Sequence, residues 1–537
     1  METNAENLQH RSFSIKLWPP SNSTRLMLVE RMAKNLSTPS IFSKKYGLLS
    51  SEEAEEKAKQ IEDASFAAAN EHFVRQPDGD GSSAVHLYAK ESSKLMIEVL
   101  KQGSQATRDA TPEMVPGVQE TAFDISRGPR SFLDADEAKE LLKPLGEPGN
   151  PYTKICFSNR SFGIEAAGVA EPILVSCKNQ LIDVDLSDFV AGRPEEEALD
   201  VMNIFSAALE GCSLKTLDLS NNALGEKGVR AFAALLKSQD RLEELYLMND
   251  GISEEAAKAV VELIPSTEKL RILHFHNNMT GDEGAKSIAE IVKCSPVLED
   301  FRCSSTRVGM EGGVALCKAL GTCTNLKKLD LRDNMFGVEA GVALSKALAL
   351  HESLVEIYLS YLNLEDEGAT AIANVLKDSA PSLKVLEMAG NDITAEAVPA
   401  LASCIAAKKS LTMLVLSENE LKDNGSISIA NALEGLDQLQ EVDMSNNSLG
   451  RVGARVLAKA VINKPDFKLL NINDNYIPDE GIDEVKEMFK KFPGKLGPLD
   501  GNDVDGEEEE EEERDGDEEN DGELETKLKH LEVNEED

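Results

Sequence analysis

Apolar residues return in the same order about every 28 residues from Leu214 to the acidic end of the chain. In the first copy Leu214, Leu217, Leu219, Asn222 and Leu224 fit the frame L-x-x-L-x-L-x-x-N-x-L. Alternation at its start predicts a short strand, and the polar positions that follow predict a turn. Val229, Phe232, Leu235 and Leu236 then come at the spacing of one helical face. One strand and one helix therefore make each copy. The frame restarts at Leu242, Leu270, Leu298, Leu326, Leu354, Leu383, Leu411, Leu439 and Phe467, and looser copies begin at Tyr152 and Leu181.

This is the pattern of a leucine-rich repeat. A single copy cannot bury its own apolar face, so the copies are expected to stack into an α/β solenoid, a horseshoe with a parallel sheet inside and helices outside. The ninth position is usually Asn (Asn222, Asn278, Asn334, Asn391, Asn419, Asn447, Asn475). Its amide can bond the backbone of the turn where the strand leaves the sheet, which makes these residues structural first.

Residues 1–110 do not follow the frame. Helical stretches are expected there from about Thr24 to Leu36, from a capping box at Ser50 and Glu53 to about Phe73, and, as a fourth helical pattern, from Val85 to Leu100, which together read as a small all-α domain. Residues 111–120 read as a linker and residues 121–499 as the solenoid. Its entry, AFDISRGPRSFLDADEAKELLKPL, is expected to form one strand and one helix that cap the first repeat. Residues 500–537 hold 21 acidic and 3 basic side chains, a net of −18 out of −40 for the whole chain. Self-repulsion and few apolar residues predict a disordered tail there, with a solubilising role at least as expected as a binding one.

So acidic a chain does not suit nucleic acid, because phosphate binding requires the opposite sign. A basic protein partner fits better. The strand positions that leave the core face, third, fifth and seventh in the frame, include Asp183, Asp185, Asp218, Glu244, Asp300, Asp330, Glu356, Glu387, Glu441 and Asp443, so the concave wall is expected to steer such a partner. The eight cysteines lack C-x-x-C spacing and read as reduced core thiols. His274 and His276 read as a surface pair on the same wall, not as metal ligands. No apolar run is long enough to span a membrane, and the polar N-terminus does not read as a signal peptide. No H-E-x-x-H, G-x-x-x-x-G-K-[ST] or G-x-S-x-G motif occurs, so a self-contained catalytic apparatus is not expected.

Two stretches remain. One is Trp18-Pro19-Pro20, which by spacing alone is a turn packing an aromatic against the helices. The other breaks the repeat period: after the strand at Leu181 comes SDFVAGRPEEEALD, read as an inserted loop that exposes Arg193 between Gly192 and Pro194. By spacing alone Arg193 either pairs with Glu195 to Glu197 or reaches toward a partner.

Resemblance bears on both. The run LWPPSNSTRLMLVERMAKNLSTPSIFSKKYGLLSSEEAEEKAKQIEDASFAAANEHF resembles the WPP domain of land plants, which addresses proteins to the nuclear envelope by binding coiled-coil anchor proteins. The motifs LSDFVAGR, LSNNALG, LYLMNDGIS and LDLRDNMFG, in their successive repeats, resemble the Ran GTPase-activating protein family over residues 120 to about 500. The resemblance implies an activator that works in trans on Ran-GTP, in a ternary complex with a Ran-binding protein. It implies no cofactor of its own, GTP and magnesium being held by the GTPase, and no membrane insertion. Carried over by position, Arg193 matches the family's essential loop arginine, and Asn249 matches the asparagine that contacts the GTPase near its catalytic glutamine. Asp188, Asn221 and Asn222 match neighbouring motif positions, with Asp218, Asp330 and Asp333 as further partner-binding candidates; Trp18, Pro19 and Pro20 carry targeting. Asn249-Asp250 replaces a paired Asn-Asn of the fungal pattern, and the fungal lysine after the arginine is replaced by Pro194-Glu195-Glu196-Glu197. Cytoplasm and outer nuclear envelope, with spindle and cell plate in mitosis, are the expected locations. A leucine-rich-repeat scaffold that binds a basic protein without activating it is the alternative.

Overall fold

A computed structural model describes residues 19–20, 22–37, 51–75, 82–102, 121–126 and 130–503. Trp18, the Ser50 cap, the linker at 111–120 and the tail beyond residue 503 lie outside them. The chain divides into two compact units, Met1–Val118 and Gln119–Asp537.

In the first unit, α1 (Asn22–Ser37), α2 (Ser51–Arg75) and α3 (Ser82–Gln102) pack around Val29, Leu36, Ala54, Ala58, Ile61 and Tyr88. The small Ala faces let the helices approach closely. Arg25 on α1 reaches across to α2, where Nε and Nη2 donate to the two oxygens of Glu62 at 2.7 and 2.5 Å and the guanidinium lies 3.8 Å from the Phe66 ring centroid. Planar, bidentate pairing over an aromatic face fixes the register of the two helices.

The second unit is the expected solenoid. Its parallel sheet has 13 strands among the described residues, in the order β1, β3, then β5 to β15. β1 is Ala122–Asp124, β3 Lys154–Cys156, β5 Asp183–Asp185, β6 Thr216–Asp218 and β7 Glu244–Tyr246, and the series runs on from β8 (Ile272–His274) to β15 (Leu469–Asn471). Each strand is three residues long because only the third to fifth positions of the frame are extended. Register is constant: Ile155, Val184, Leu217, Leu245, Leu273 and Phe301 lie side by side as one buried row. The third and fifth residues on either side are mostly half-buried and face away from the helices.

Two readings of local structure change. The entry is not one strand and a helix: a second strand, β2 (Ser131–Leu133), precedes α4 (Ala135–Gly146) and pairs in parallel with β4 (Arg160–Phe162). Arg160, buried, holds that corner by donating from Nε to the Ile125 carbonyl at 2.6 Å and from Nη1 to Ser131 Oγ at 2.9 Å. Nor is SDFVAGRPEEEALD all loop. Ile164–Cys177 form helix α5 after β4, and Glu195–Ala208 form helix α6 in a further strand-to-helix step, with Pro194 before its first residue and three glutamates in its first turn. Proline at a helix start and carboxylates near its positive end are favourable there.

Six of the eight cysteines are buried, Cys156 is half-buried and Cys294 exposed, all free. No helix among the described residues is long and apolar enough to cross a membrane.

Candidate functional site

Each repeat turns out of its strand through the eighth and ninth positions, and these two residues divide structure from exposure. The ninth-position asparagines point inward. Asn278 accepts the N–H groups of Asp250 and Ile252, both at 3.0 Å, and donates to the carbonyls of Leu247 and Phe275 at 2.7 and 2.5 Å. Asn334 and Asn222 repeat this pattern two repeats later and two repeats earlier in the stack. At the eighth position the backbone is left-handed in copy after copy: Asp188 (φ 55°), Asn221 (65°), Asn249 (56°), Asn277 (56°), Ser305 (54°) and Asp333 (55°). Asn and Asp tolerate that region better than most residues. The result is a row of short polar side chains along the edge of the sheet where the strands end.

Asn249 sits within that row, exposed, and its amide is held at both ends. Its Nδ2 donates to Asn221 Oδ1 at 2.8 Å, and its Oδ1 accepts from Asn277 Nδ2. Three consecutive repeats thus orient one amide. Beyond it an open groove of about 560 Å³ is lined by Asn249, Asn277, Met279, Arg307, Asp333 and Met335. Asp333, a candidate from the sequence, is exposed on this stretch. Asn222 is not available to a partner: it is 5% exposed and its amide is spent on the Phe189, Leu186 and Leu219 backbone.

Arg193 is placed differently from the sequence reading. Its side chain is only 15% exposed and is folded back on the entry cap. Nη2 donates to the carbonyls of Ser161 (2.7 Å) and Leu133 (3.3 Å), Nε to Ser161 Oγ (3.1 Å) and Nη1 to Glu197 (3.3 Å). Phe132 covers it, with the guanidinium 4.9 Å from the ring centroid. Two glycines make room: a Cβ on Gly163 would lie 2.8 Å from Arg193 Nη1, and Gly192, at φ 83°, would meet Phe132 at 2.9 Å. The rest of the loop is anchored too, since Phe189 and Val190 are buried and their N–H groups bond Asn222 Oδ1. Pairing with Glu197 is realised, as one of four bonds.

Arg130 is a cation that no sequence pattern singles out. It grips Asp188 through Nε (3.0 Å) and Nη2, and its side chain is 52% exposed. It lies outside the repeat frame, so no periodicity marks it. Asn277, by contrast, was legible from its eighth position in the motif HNN.

The acidic wall is largely neutralised within itself. Asp183 pairs with Lys154 at 2.9 Å, Asp300 with Arg302 at 3.0 Å, Glu356 with Lys328 at 2.9 Å, and Arg332 bridges Asp330 at 2.8 Å and Glu387 at 3.2 Å. Asp330 is buried behind that arginine. Among the described residues Asp185, Asp218, Glu244 and Asp443 meet only neutral donors. Burial, and after it the Asp185 charge, pushes the Asp218 carboxyl up to about 6. Burial would raise Asp300 as well, but His274 and Arg302 hold it down at about 2. His274 is not on the surface: it is 7% exposed, against Tyr246, and His276 is half-buried. No cluster fit to hold a metal occurs among the described residues.

The chain is 69% identical to RAN GTPase-activating protein 2 of Arabidopsis thaliana and 63% identical to RAN GTPase-activating protein 1 of the same plant, over 98% and 99% of both chains in each pair. The chain belongs to the Ran GTPase-activating protein family. Leucine-rich-repeat models match residues 212–233, 322–345 and 379–402. The WPP-domain model matches residues 14–110, a stretch also shared with MFP1 attachment factor 1 of Solanum lycopersicum at 38% identity over 117 residues, 21% of this chain and 76% of that one. In the eighth-position row the exposed side chains of Asn221, Asn249 and Asn277 are bonded to one another and not to the core.

Proposed function

We propose that this chain activates GTP hydrolysis on the small GTPase Ran, in trans, through the edge of the solenoid around Asn249. The observation that carries this reading is the Asn249 amide, exposed yet oriented by Asn221 and Asn277 before any partner arrives. Ran holds the nucleotide and magnesium; the activator supplies position. A hydrogen bond from a fixed amide to the GTPase's own glutamine holds that glutamine against the attacking water, and an orientation set in advance lowers the barrier without further reorganisation. Arg193 supports the same site from behind. With its donors committed to Ser161, Leu133 and Glu197, it braces the loop that carries Asp188 and does not extend toward a phosphate.

Single-turnover hydrolysis of GTP by purified Ran, with catalytic amounts of this chain, tests the reading. Acceleration with turnover of the activator is expected. Binding without acceleration would instead establish the scaffold alternative.

For the N-terminal unit the reading is nuclear-envelope anchoring through coiled-coil proteins, with the solenoid thereby placed to lower Ran-GTP on the cytoplasmic side. Similarity to WPP-domain proteins supports it. Trp18→Ala with Pro19→Ala should release a fluorescent fusion from the nuclear rim while activation in vitro is kept; retention at the rim would remove these residues from the targeting account.

A further inference from the structure

The ladder of buried asparagines contains one acid. At the ninth position after Asn249 stands Asp250, fully buried. Its Oδ1 behaves as an asparagine oxygen does, accepting the Asn222 N–H at 2.8 Å. Its Oδ2 takes the place of the donor nitrogen and has no hydrogen-bond partner. What surrounds that place follows from the repeat. Asn222 donates there to the carbonyls of Leu186 and Leu219, and Asn278 to those of Leu247 and Phe275, in each case one strand back and its own strand. By the same register Oδ2 of Asp250 faces the carbonyls of Leu219 and Leu247.

An ionised oxygen facing carbonyl oxygens in a dry core is strongly disfavoured, whereas a carboxylic O–H there is a donor. Each carbonyl has a second lone pair to accept it. The charges around Asp250 point the same way. The preceding repeat contributes the Asp218 carboxylate from β6, together with the N–H groups of Asn222 and Leu224; the following repeat contributes the neutral Asn278, which accepts the Asp250 N–H. Burial first, and Asp218 in addition, raise the Asp250 carboxyl well above the usual carboxylate range.

We propose that Asp250 is a neutral carboxylic acid that donates its proton to a strand carbonyl, and that through this bond it is a positioning residue for Asn249, its chain neighbour. The second half rests on the reading of Asn249 as the activating residue. At most other ninth positions an amide does the same work without titrating, so this one turn is tied to pH.

The full-length chain is compared with Asp250→Asn, which restores the common donor, and Asp250→Leu, which removes it as Leu362 does naturally at the same position of its own repeat. A group protonated when folded and ionised when unfolded destabilises the fold as pH rises above its unfolded value. Urea unfolding followed by circular dichroism should therefore show the unfolding constant of wild type rising about tenfold per pH unit relative to Asp250→Asn between pH 5 and 7. Asp218 titrates in both proteins and cancels. A flat ratio would mean that Asp250 is ionised in the fold and overturns the proposal. In the Ran hydrolysis assay Asp250→Asn should keep the wild-type maximal rate, while Asp250→Leu loses about tenfold at an unchanged half-saturating concentration. A fully active Asp250→Leu overturns the positioning role; should that variant not fold, Asp250→Ala or Asp250→Val takes its place and is read in the same way. If Asn249→Ala is itself fully active, the functional reading fails while the unfolding ratio still tests the protonation of Asp250 separately.

Discussion

Arg193 shows how far a residue's neighbours decide its role. A guanidinium with a fixed charge on a loop invites the reading of a finger, yet its partners lie 32 and 60 residues back, in β4 and β2, and they draw it inward. Four donors in one plane meet two carbonyls, a hydroxyl and a carboxylate, and a lysine cannot reproduce that fork. Arg193→Lys is accordingly expected to lose most of the activation that Arg193→Ala loses, and to increase cleavage of residues 187–194 in limited proteolysis. Near-wild-type behaviour of the lysine variant would mean that charge alone matters. Asp218 offers a second test at this scale. Its folded-state value of about 6 lies above the ~3.9 of an unfolded aspartate, so it costs stability that is absent below pH ~4, grows as pH rises and is complete above 6. Asp218→Asn keeps an acceptor for the Ser220 N–H and removes the charge. Urea unfolding should show it more stable than wild type by on the order of 2 kcal/mol at pH 7.5 and indistinguishable near pH 4.

At the scale of the element, the repeat was legible because its period comes from burial. Leucine at the first, fourth and sixth positions and Asn at the ninth leave one way to stack, and the observed register agrees with it from Ile155 to Phe301. Positions whose neighbours come from outside the frame were not legible. Arg130 and Phe132 belong to the entry cap, His274 is buried by its neighbours across strands, and the glutamates after Pro194 form a helical turn, although a proline followed by acids is itself a helix-start signal. The site row was legible in part: the eighth position could be counted, but not the amide chain that links Asn221, Asn249 and Asn277. The two turn positions predict opposite outcomes. Asn334→Ala strands two N–H groups and two carbonyls in the core and should cost about 2–4 kcal/mol in thermal or chemical unfolding. Asn277→Ala, at the exposed eighth position, should change stability by less than about 1 kcal/mol yet lower activation, because it frees one end of the Asn249 amide.

For the whole molecule, charge acts at a distance and position acts on contact. Pairing with Lys154, Arg302, Lys328 and Arg332 cancels much of the wall, and what remains to steer a basic partner is the set of carboxylates without a cation, Asp185 and Asp443 among them. Association with Ran measured by stopped flow should slow as salt is raised, and Asp185→Asn with Asp443→Asn should flatten that slope while leaving the maximal hydrolysis rate alone. A salt-independent on-rate would take the wall out of the account. If the solenoid lowers the barrier through one amide held ready by three repeats, the maximal rate of single-turnover GTP hydrolysis on Ran at saturating Asn249→Ala must show it. A fall on the order of 10² with nearly unchanged binding is the expected result, the mark of an interaction made mainly in the transition state; a maximal rate equal to that of wild type would contradict the account.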